Sequence, residues 1–159
     1  MDKISLRKIK QTDKQYFSKW WRDKELIALT SGDFSELSDK QINRYFIDIK
    51  ESKNDYHFMI LLDGQVIGHI SLCKRKKNQY ETQIIIGAKE FWGKGYGSKA
   101  IKKSLKFASN QGISNIYLEV RPDNTRAIRA YEKAGFQKIG ILENKKNKNL
   151  PKVLRMSSY

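Results

Sequence analysis

The stretch Phe91-Trp92-Gly93-Lys94-Gly95-Tyr96-Gly97-Ser98 decides how the rest of this chain is interpreted. It lies between an apolar, strand-like run at 83–87 and a helix-like segment that we expect at 99–111. Its three glycines let a ligand approach the backbone closely, and the first amides of a helix lack intrahelical partners. The spacing of these glycines is neither that of the dinucleotide fingerprint nor that of the P-loop. The stretch therefore predicts a differently built anion site, suited to phosphate groups.

The bulk composition is that of one globular domain. The chain has 159 residues, of which 39% are hydrophobic and 11% aromatic, so a single domain over 1–159 can bury a core without disulfides. No apolar run approaches the ~20 residues that a membrane-spanning helix needs. The first residues also lack the apolar segment of a signal peptide, so we expect a cytoplasmic protein.

Cysteine and histidine are scarce. Cys73 is the single cysteine, which excludes an internal disulfide. His57 and His69 are the only histidines, and with one cysteine they offer no pattern of metal ligands. We therefore expect no metal.

The net charge of +15, from 32 basic and 17 acidic residues, is the strongest compositional signal. Such a charge favours nucleic acid or another acidic ligand as a partner. The basic runs 74–77 and 145–148 are the candidate contacts. The competing interpretation is a solvated lysine face, which makes nucleic acid an unlikely main partner.

The first third of the chain is predicted to form one strand and two helices. Alternation over 4–9 predicts a half-buried strand, and aromatic residues at helical spacing predict a helix over 14–23. Residues 26–37 are expected to form a loop. Ser38, with Gln41 three residues on, predicts a capping box and a second helix to about Lys50.

The remainder alternates strands and helices. Strands are expected at 56–62 and 66–73, joined at Asp63-Gly64, and after a basic turn at 74–78 a third follows at 80–87. Beyond the glycine stretch we expect a strand at 115–121, a helix at 125–134 and strands at 136–141 and 153–156. The strand, helix, strand order across 80–121 is a crossover, which predicts a parallel strand pair.

This order and two motifs resemble the GNAT superfamily of acetyl-CoA-dependent N-acetyltransferases over essentially the whole chain. The strand at 84–87 followed by Gly93-Lys94-Gly95-Tyr96-Gly97 is similar to the family's pyrophosphate loop, G-x-G-x-[GA]. Residues 124–136 are similar to the signature N-x-x-A-x-x-x-Y-x-x-x-G-F. The run Trp-Gly-x-Gly-Tyr-Gly resembles the ribosomal-protein-alanine acetyltransferase branch. Trp92 stands where much of the superfamily has Gln or Arg.

The resemblance implies a fold and a cofactor. The fold is of the α+β class: a mixed, mostly antiparallel sheet flanked by helices, with a splayed parallel strand pair at the cofactor site. Acetyl-CoA is the implied co-substrate. The residues implied to bind it are Ile85, Ile86, Gly87, Trp92, Gly93, Lys94, Gly95, Tyr96, Gly97, Ser98, Asn124 and Arg126.

Tyr131 is the implied general acid, which donates a proton to the departing thiolate. A phenol with a pKa near ~10 is protonated at neutral pH, so it can act as this donor. The alternative interpretation is a core aromatic residue whose hydroxyl has a partner. Asn124 likewise has two interpretations that are compatible, as helix N-cap and as a ligand of the cofactor arm.

The general base is less defined. Glu81 matches a position where relatives carry a glutamate, and Glu119 lies on the neighbouring strand. For each carboxylate the alternative is a cross-strand salt bridge. His57 and His69 are interpreted as strand histidines rather than bases.

The acceptor is expected to be a primary amine, on a small molecule or a peptide N-terminus. We expect it to enter between the first two helices, where Trp20, Trp21 and Asp33 could line a pocket; the alternative for the aromatic pair is the core. Cys73 lies on a different strand from the glycine stretch, so we expect direct transfer in a ternary complex.

Two other functions stay open from the sequence. One is a basic module on the same fold that binds nucleic acid or the ribosome, and the other is a non-catalytic sensor of coenzyme A. Either a monomer or a homodimer is compatible with the residues.

Overall fold

The computed structural model describes residues 2–158, which form one sheet with helices packed on it. The strands are β1 Ile4–Lys8, β2 Tyr56–Leu62, β3 Gln65–Lys76, β4 Gln79–Ile86, β5 Asn115–Val120, β6 Gln137–Glu143 and β7 Lys152–Ser157. The α-helices are α1 Lys14–Trp20, α2 Lys24–Leu29, α3 Asp39–Glu51, α4 Tyr96–Asn110 and α5 Thr125–Lys133.

The sheet is mixed, with the strand order β1-β2-β3-β4-β5-β7-β6. All neighbours pair antiparallel except β4 and β5, which are joined through α4 and pair parallel. Their pairing covers only Gln79–Glu81 against Asn115–Tyr117, although β4 continues to Ile86 and β5 to Val120. The two strands therefore diverge, and the predicted fold with its splayed parallel pair is confirmed.

The core has two parts, one on each face of the sheet. Successive strand residues point to opposite faces, and Met59 and Ile60 accordingly belong to different clusters of buried side chains. Ile60 packs with α4 and α5, whereas Met59 packs with Phe17 of α1 and Phe46 of α3. Helices α1 and α3 thus cover one face, and α4, the helix after the glycine stretch, covers the other.

Two local predictions are confirmed by the turn and cap geometry. Ser38 and Gln41 form the capping box at the start of α3: the Ser38 hydroxyl accepts from the Gln41 amide, and the Gln41 side chain accepts from the Ser38 amide. Asp63 and Gly64 join β2 to β3 with φ of 49° and 87°, values that suit a tight two-residue hairpin.

Several boundaries differ from the prediction, and three of these differences have a clear local cause. Residues 24–29, expected to lie partly in a loop, form α2 because Asp23 caps the amides of Glu25 and Leu26 and Leu26 is buried. The basic turn is shorter than expected, since β3 continues to Lys76 with its lysines exposed. Helix α4 begins at Tyr96 rather than at residue 99, since the first turn accommodates Gly97.

Gly87, at the end of β4, provides a test of how tightly α1 is packed on the sheet. A Cβ atom built at this position would overlap the buried Trp20 ring. We expect Gly87→Ala to lower the free energy of unfolding by about 2 kcal/mol, the cost of overpacking a rigid neighbour. Chemical denaturation measures this loss.

Gly140→Ala is the matched control, because a Cβ atom there meets no atom within 4 Å. This variant should change the free energy of unfolding by less than about 0.5 kcal/mol. Equal effects of the two substitutions would contradict the packing of Trp20 on Gly87.

Candidate active site

A cavity of about 810 Å³ lies where β4 and β5 diverge. Its wall on one side is the end of β4, the glycine stretch and the first turn of α4, and on the other side α5. It also reaches residues of β2 and β3 that belong to the opposite face of the sheet. A ligand can therefore extend through the gap between the two strands.

The glycine stretch presents uncapped amides to this cavity. Gly93 and Gly95 have φ of 74° and 83°, a left-handed conformation that glycine adopts without strain. Gly95 is the N-cap of α4, and no side chain there accepts from the first amides of the helix. Gly97 and Ser98 follow on the cavity wall. These unpaired N–H groups and the helix dipole favour an anion.

The cations on the cavity wall are Arg121 and residues of α5, and none of them comes from the glycine stretch. Lys94 and Lys99 lie over the rings of Phe91 and Tyr96, at 5.7 and 5.6 Å, and neither is part of the cavity wall. Arg126, which was predicted, lies on the wall together with Arg129 and Lys133, which were not. Their spacing along α5 is a signal that the sequence contained, because residues three and four apart share a helix face.

Trp92 has a structural role that explains its place before the glycines. Its indole N–H donates to the carbonyl oxygen of Ile86 at 2.6 Å. The Arg126 guanidinium lies 3.8 Å from the Trp92 ring centroid, a favourable cation–π distance. Burial lowers the pKa of Arg126 from its usual value. Trp92 thus connects the end of β4 to α5 across the cavity.

Asn124 is the N-cap of α5, as predicted. Its Oδ1 accepts from the Ala127 amide at 3.3 Å, and its Nδ2 donates to the Leu29 carbonyl at the end of α2, at 3.2 Å. The residue also lies on the cavity wall. Both ends of the amide therefore have partners within the protein.

Tyr131 lies on the same wall, on α5, with only 8% of its surface exposed. Its ring packs against Phe136 with 6.1 Å between centroids. Within residues 2–158 its hydroxyl makes no hydrogen bond. Burial raises the pKa of the phenol, which keeps it protonated. The hydroxyl is thus an available proton donor and not a satisfied core group.

The two predicted carboxylates differ in position. Glu119 lies on the cavity wall, where it accepts from Arg155 of β7 at 3.0 Å. Glu81 is not part of the wall, and it accepts from Arg75 of β3 at 2.6 Å. Both form the cross-strand salt bridges named as alternatives. The structure therefore brings only Glu119 to the site.

The residues at the end of β4 that were predicted to bind the cofactor also differ in position. Ile85 and Ile86 lie on the cavity wall, whereas Gly87 is buried under Trp20 and is not part of it. Ile85 belongs to the α1 and α3 face and Ile86 to the α4 face. These two residues therefore place β4 at the boundary between the two halves of the cavity.

The predicted acceptor residues surround a second cavity of about 520 Å³. Trp20, Trp21 and Asp33 all line it, and it shares Trp21 and Ile85 with the larger cavity. Trp20 is also a core residue with 5% exposure. Asp33 is exposed and accepts from the Ser35 hydroxyl at 2.6 Å.

Two acidic residues of the same region are engaged elsewhere. Lys89 binds Asp23 at 2.8 Å and Glu25 at 3.0 Å, and neither carboxylate lines a cavity. The acceptor side is therefore mainly aromatic and apolar rather than acidic.

His57 and His69 lie on the wall of the larger cavity, although the sequence predicted only strand histidines at these positions. They lie on the paired strands β2 and β3, and His57 Nδ1 is 3.1 Å from His69 Nε2. Burial lowers the pKa of both imidazoles, that of His69 to about 3. Each histidine alternates with apolar residues along its strand, and the two strands form a hairpin. This pattern was the signal that could have placed both histidines on one face of the sheet.

Asp55, His57 and Cys73 also approach one another, with ligand atoms within 4.8 Å. This proximity was not foreseen from the count of histidine and cysteine. Each group has a protein partner: Asp55 accepts from the Lys74 amide, His57 bonds to His69 and the Cys73 thiol bonds to Ser71. We assign no metal to the group.

Comparison with known proteins agrees with the fold. Residues 3–137 match the family model described as an acetyltransferase (GNAT) domain. The chain is 30% identical over 118 residues to N-alpha-acetyltransferase 30 of Schizosaccharomyces pombe, covering 71% of this chain and 76% of that protein. It is 31% identical over 81 residues to N-alpha-acetyltransferase RimI of Mycobacterium tuberculosis, covering 49% of each chain.

A solved structure is also similar along nearly the whole chain. It is that of spermidine N-acetyltransferase from Vibrio cholerae in complex with CoA and spermine, which superposes with a TM-score of 0.83. The sequences are 24% identical, and the match covers 97% of this chain and 94% of that one.

The fold and the family match define an acyltransferase that uses a coenzyme A thioester. The chain belongs to the GNAT family of acetyltransferases, and it is an acetyl-CoA-dependent N-acetyltransferase. None of the helices that the structure describes is both long and apolar enough to span a membrane.

Tyr131→Phe tests the proton donor while it keeps the packing of the ring. We expect the rate of acetyl transfer to fall about 100-fold, the lower range for loss of a general acid, with acetyl-CoA affinity within about twofold of the parent. Stopped assays of thiol release, with calorimetry for binding, measure the two quantities.

The pH dependence supplies a second check on Tyr131. Because burial raises its pKa, the parent enzyme should show no loss of rate from ionisation of this phenol up to pH ~10. A rate for Tyr131→Phe equal to that of the parent would contradict the assignment.

Proposed function

We propose that this protein transfers the acetyl group of acetyl-CoA directly to a primary amine, on a small molecule or a peptide N-terminus, within a ternary complex. The observation that carries the proposal is one cavity that joins an uncapped helix N-terminus, the free Tyr131 hydroxyl and an aromatic pocket through the gap between β4 and β5. Relatives named as acetyltransferases of spermidine and of protein N-termini support an amine acceptor.

The cofactor is proposed to enter from the α4 face. Its diphosphate lies against Gly93, Gly95 and Gly97, where the amides at the start of α4 have no side-chain cap. The pantetheine arm follows β4 at Ile85 and Ile86, whose edge toward β5 has lost its partner strand. A backbone amide that faces the thioester oxygen would stabilise the oxyanion by about 3 kcal/mol.

The acceptor is proposed to enter from the face that carries α1 and α3. Trp21 and Ile85 lie on the walls of both cavities and so mark the passage between them. The neutral amine nitrogen attacks the thioester carbon, the C–S bond breaks, and the departing thiolate takes the proton of the Tyr131 hydroxyl. The proton that the nitrogen loses returns to Tyr131 through a base or solvent and restores the hydroxyl.

An acetyl-cysteine intermediate is not part of this proposal. Cys73 is buried, lines neither cavity and donates to Ser71. Burial raises the pKa of its thiol, which disfavours the nucleophilic thiolate. Direct transfer requires no such group.

The acceptor class is tested with a panel of amines. Thiol release from acetyl-CoA is measured with spermidine, with a peptide that begins with a free alanine, and with 2-phenylethylamine, which suits an aromatic pocket. We expect turnover of at least one amine and binding of acetyl-CoA at submillimolar concentration by calorimetry. Absence of acetyl-CoA binding would contradict the proposal.

Cys73→Ala tests the direct mechanism. We expect its rate of acetyl transfer to stay within about twofold of the parent, because the thiol takes no part in the reaction. Mass spectrometry after incubation with acetyl-CoA should detect no acetylated protein that depends on Cys73. Loss of acetyl transfer in Cys73→Ala, with cofactor binding intact, would contradict the ternary-complex mechanism.

A further inference from the structure

We propose that His69 and His57 form a proton-accepting pair for the acceptor amine, with His69 as the catalytic residue and His57 as its positioning residue. The inference rests on the proposed function and adds to it the missing general base. Three observations carry it: the bond between the rings, their place on the cavity wall, and the register of β3 against β4.

The position of His69 is fixed by the sheet. It lies directly opposite Ile85 in the antiparallel pair of β3 and β4, so one strand spacing of about 5 Å separates it from the backbone proposed to hold the thioester. Its ring packs edge-on against Phe17 at 5.0 Å. The ring is half-buried and still reaches the cavity, which is where an attacking amine must lie.

The bond between the rings determines where a proton can be accepted. His57 Nδ1 and His69 Nε2 are 3.1 Å apart, and the rings stack 6° from parallel. Two neutral imidazoles carry two ring N–H groups. One of these occupies the shared bond, so the two outer nitrogens hold one proton between them, and the other outer nitrogen is a free acceptor.

The neighbouring charge favours His57 as the place where a positive charge ends. The Asp55 carboxylate lies within 4.8 Å of a His57 ring nitrogen, so it stabilises a positive charge on that ring. The proposal places the shared proton of the resting pair on His69 Nε2, which leaves His69 Nδ1 as the free acceptor. Burial keeps both rings neutral at pH 7 by lowering their pKa.

The proton count closes over one turnover, because the proton accepted by the histidine pair replaces, through solvent, the one that Tyr131 gives to the thiolate. As the N–C bond forms, the amine proton passes to His69 Nδ1, and the shared proton moves from His69 Nε2 to His57 Nδ1. The positive charge then lies on His57, beside Asp55. A bond between an imidazole and an imidazolium is charge-assisted and stronger than a neutral one, which offsets the weak basicity of a buried ring.

The other titratable groups near the pair are already engaged. Glu81 of β4 is bound by Arg75, Glu119 of β5 is bound by Arg155, and the Cys73 thiol donates to Ser71. The helices packed on this face contribute Phe17 from α1 and Ile49 from α3. An apolar setting favours the neutral form of the entering amine, so a weak base is sufficient.

The first arm of the test requires no acceptor. The chain has two histidines, so nitrogen NMR of the imidazole rings gives two sets of signals, which His57→Gln assigns. We expect His69 to stay neutral from pH 8.5 to below pH 6, with its proton on Nε2, and the pKa of His57 to lie below its ordinary value. Protonation of His69 above pH 6, or a proton on its Nδ1 in the neutral pair, would overturn the proposal even if no amine of the panel is turned over.

The second arm measures acetyl transfer to the panel amine that is turned over best among spermidine, the alanyl peptide and 2-phenylethylamine. At pH 7 we expect His69→Gln to lower kcat about 100-fold and His57→Gln about 10-fold, with acetyl-CoA affinity within about twofold. The deficit of His69→Gln should shrink as the pH rises toward ~10, because hydroxide can then accept the proton that the attacking nitrogen loses.

The controls separate this role from a structural one. Cys73→Ala, on the same strand and face, should keep the parent pH profile. Melting temperatures of all variants are compared, and His57→Gln keeps the kinetic arm decisive if His69→Gln does not fold. A His69→Gln rate within threefold of the parent at pH 7, or a larger loss for Glu119→Gln than for His69→Gln, would assign the base elsewhere.

Discussion

The separation of two parallel strands is the constraint on which the rest of this structure depends. β4 and β5 pair over three residues each and then diverge. A backbone edge that has lost its partner strand carries N–H and C=O groups that need other partners. Trp92 supplies one of these partners for the Ile86 carbonyl. The remaining edge is the natural place for an extended, amide-rich ligand, and the pantetheine arm of coenzyme A is such a ligand.

The gap also divides the chemistry between the two faces of the sheet. The α4 face holds uncapped helix amides and the arginines of α5, which suit phosphate groups. The α1 and α3 face holds aromatic residues and the histidine pair, which suit an uncharged amine. A nucleophile and a thioester that approach from opposite faces meet only within the gap. In the proposed reaction, the charge that binds the cofactor is thereby kept away from the nitrogen that must lose its proton.

The sequence predicted the positions of the glycine stretch and of α5 better than those of the strand residues at the cavity. Glycines at fixed spacing and a helix signature of thirteen residues encode local backbone geometry, so their positions follow from neighbours in the chain. The carboxylates and histidines depend on which strands pair and in which register. Glu81 and Glu119 look alike in sequence, yet only Glu119 lies on the cavity wall. His57 and His69 meet only because β2 and β3 align them. The numbers of carboxylates and histidines in the chain contain no information on which strands pair or in which register.

Asn124 ties the two halves together through a single side chain. One end of its amide caps α5, which carries Tyr131, and the other end holds the last carbonyl of α2, beside the acceptor pocket. A ligand that shifts α2 would therefore alter the cap of the helix that carries Tyr131, the proposed proton donor. Binding free energies at two sites that share such an element are coupled, and the coupling is reciprocal. Cofactor affinity and acceptor affinity are, for this reason, properties of one connected unit rather than of two independent pockets.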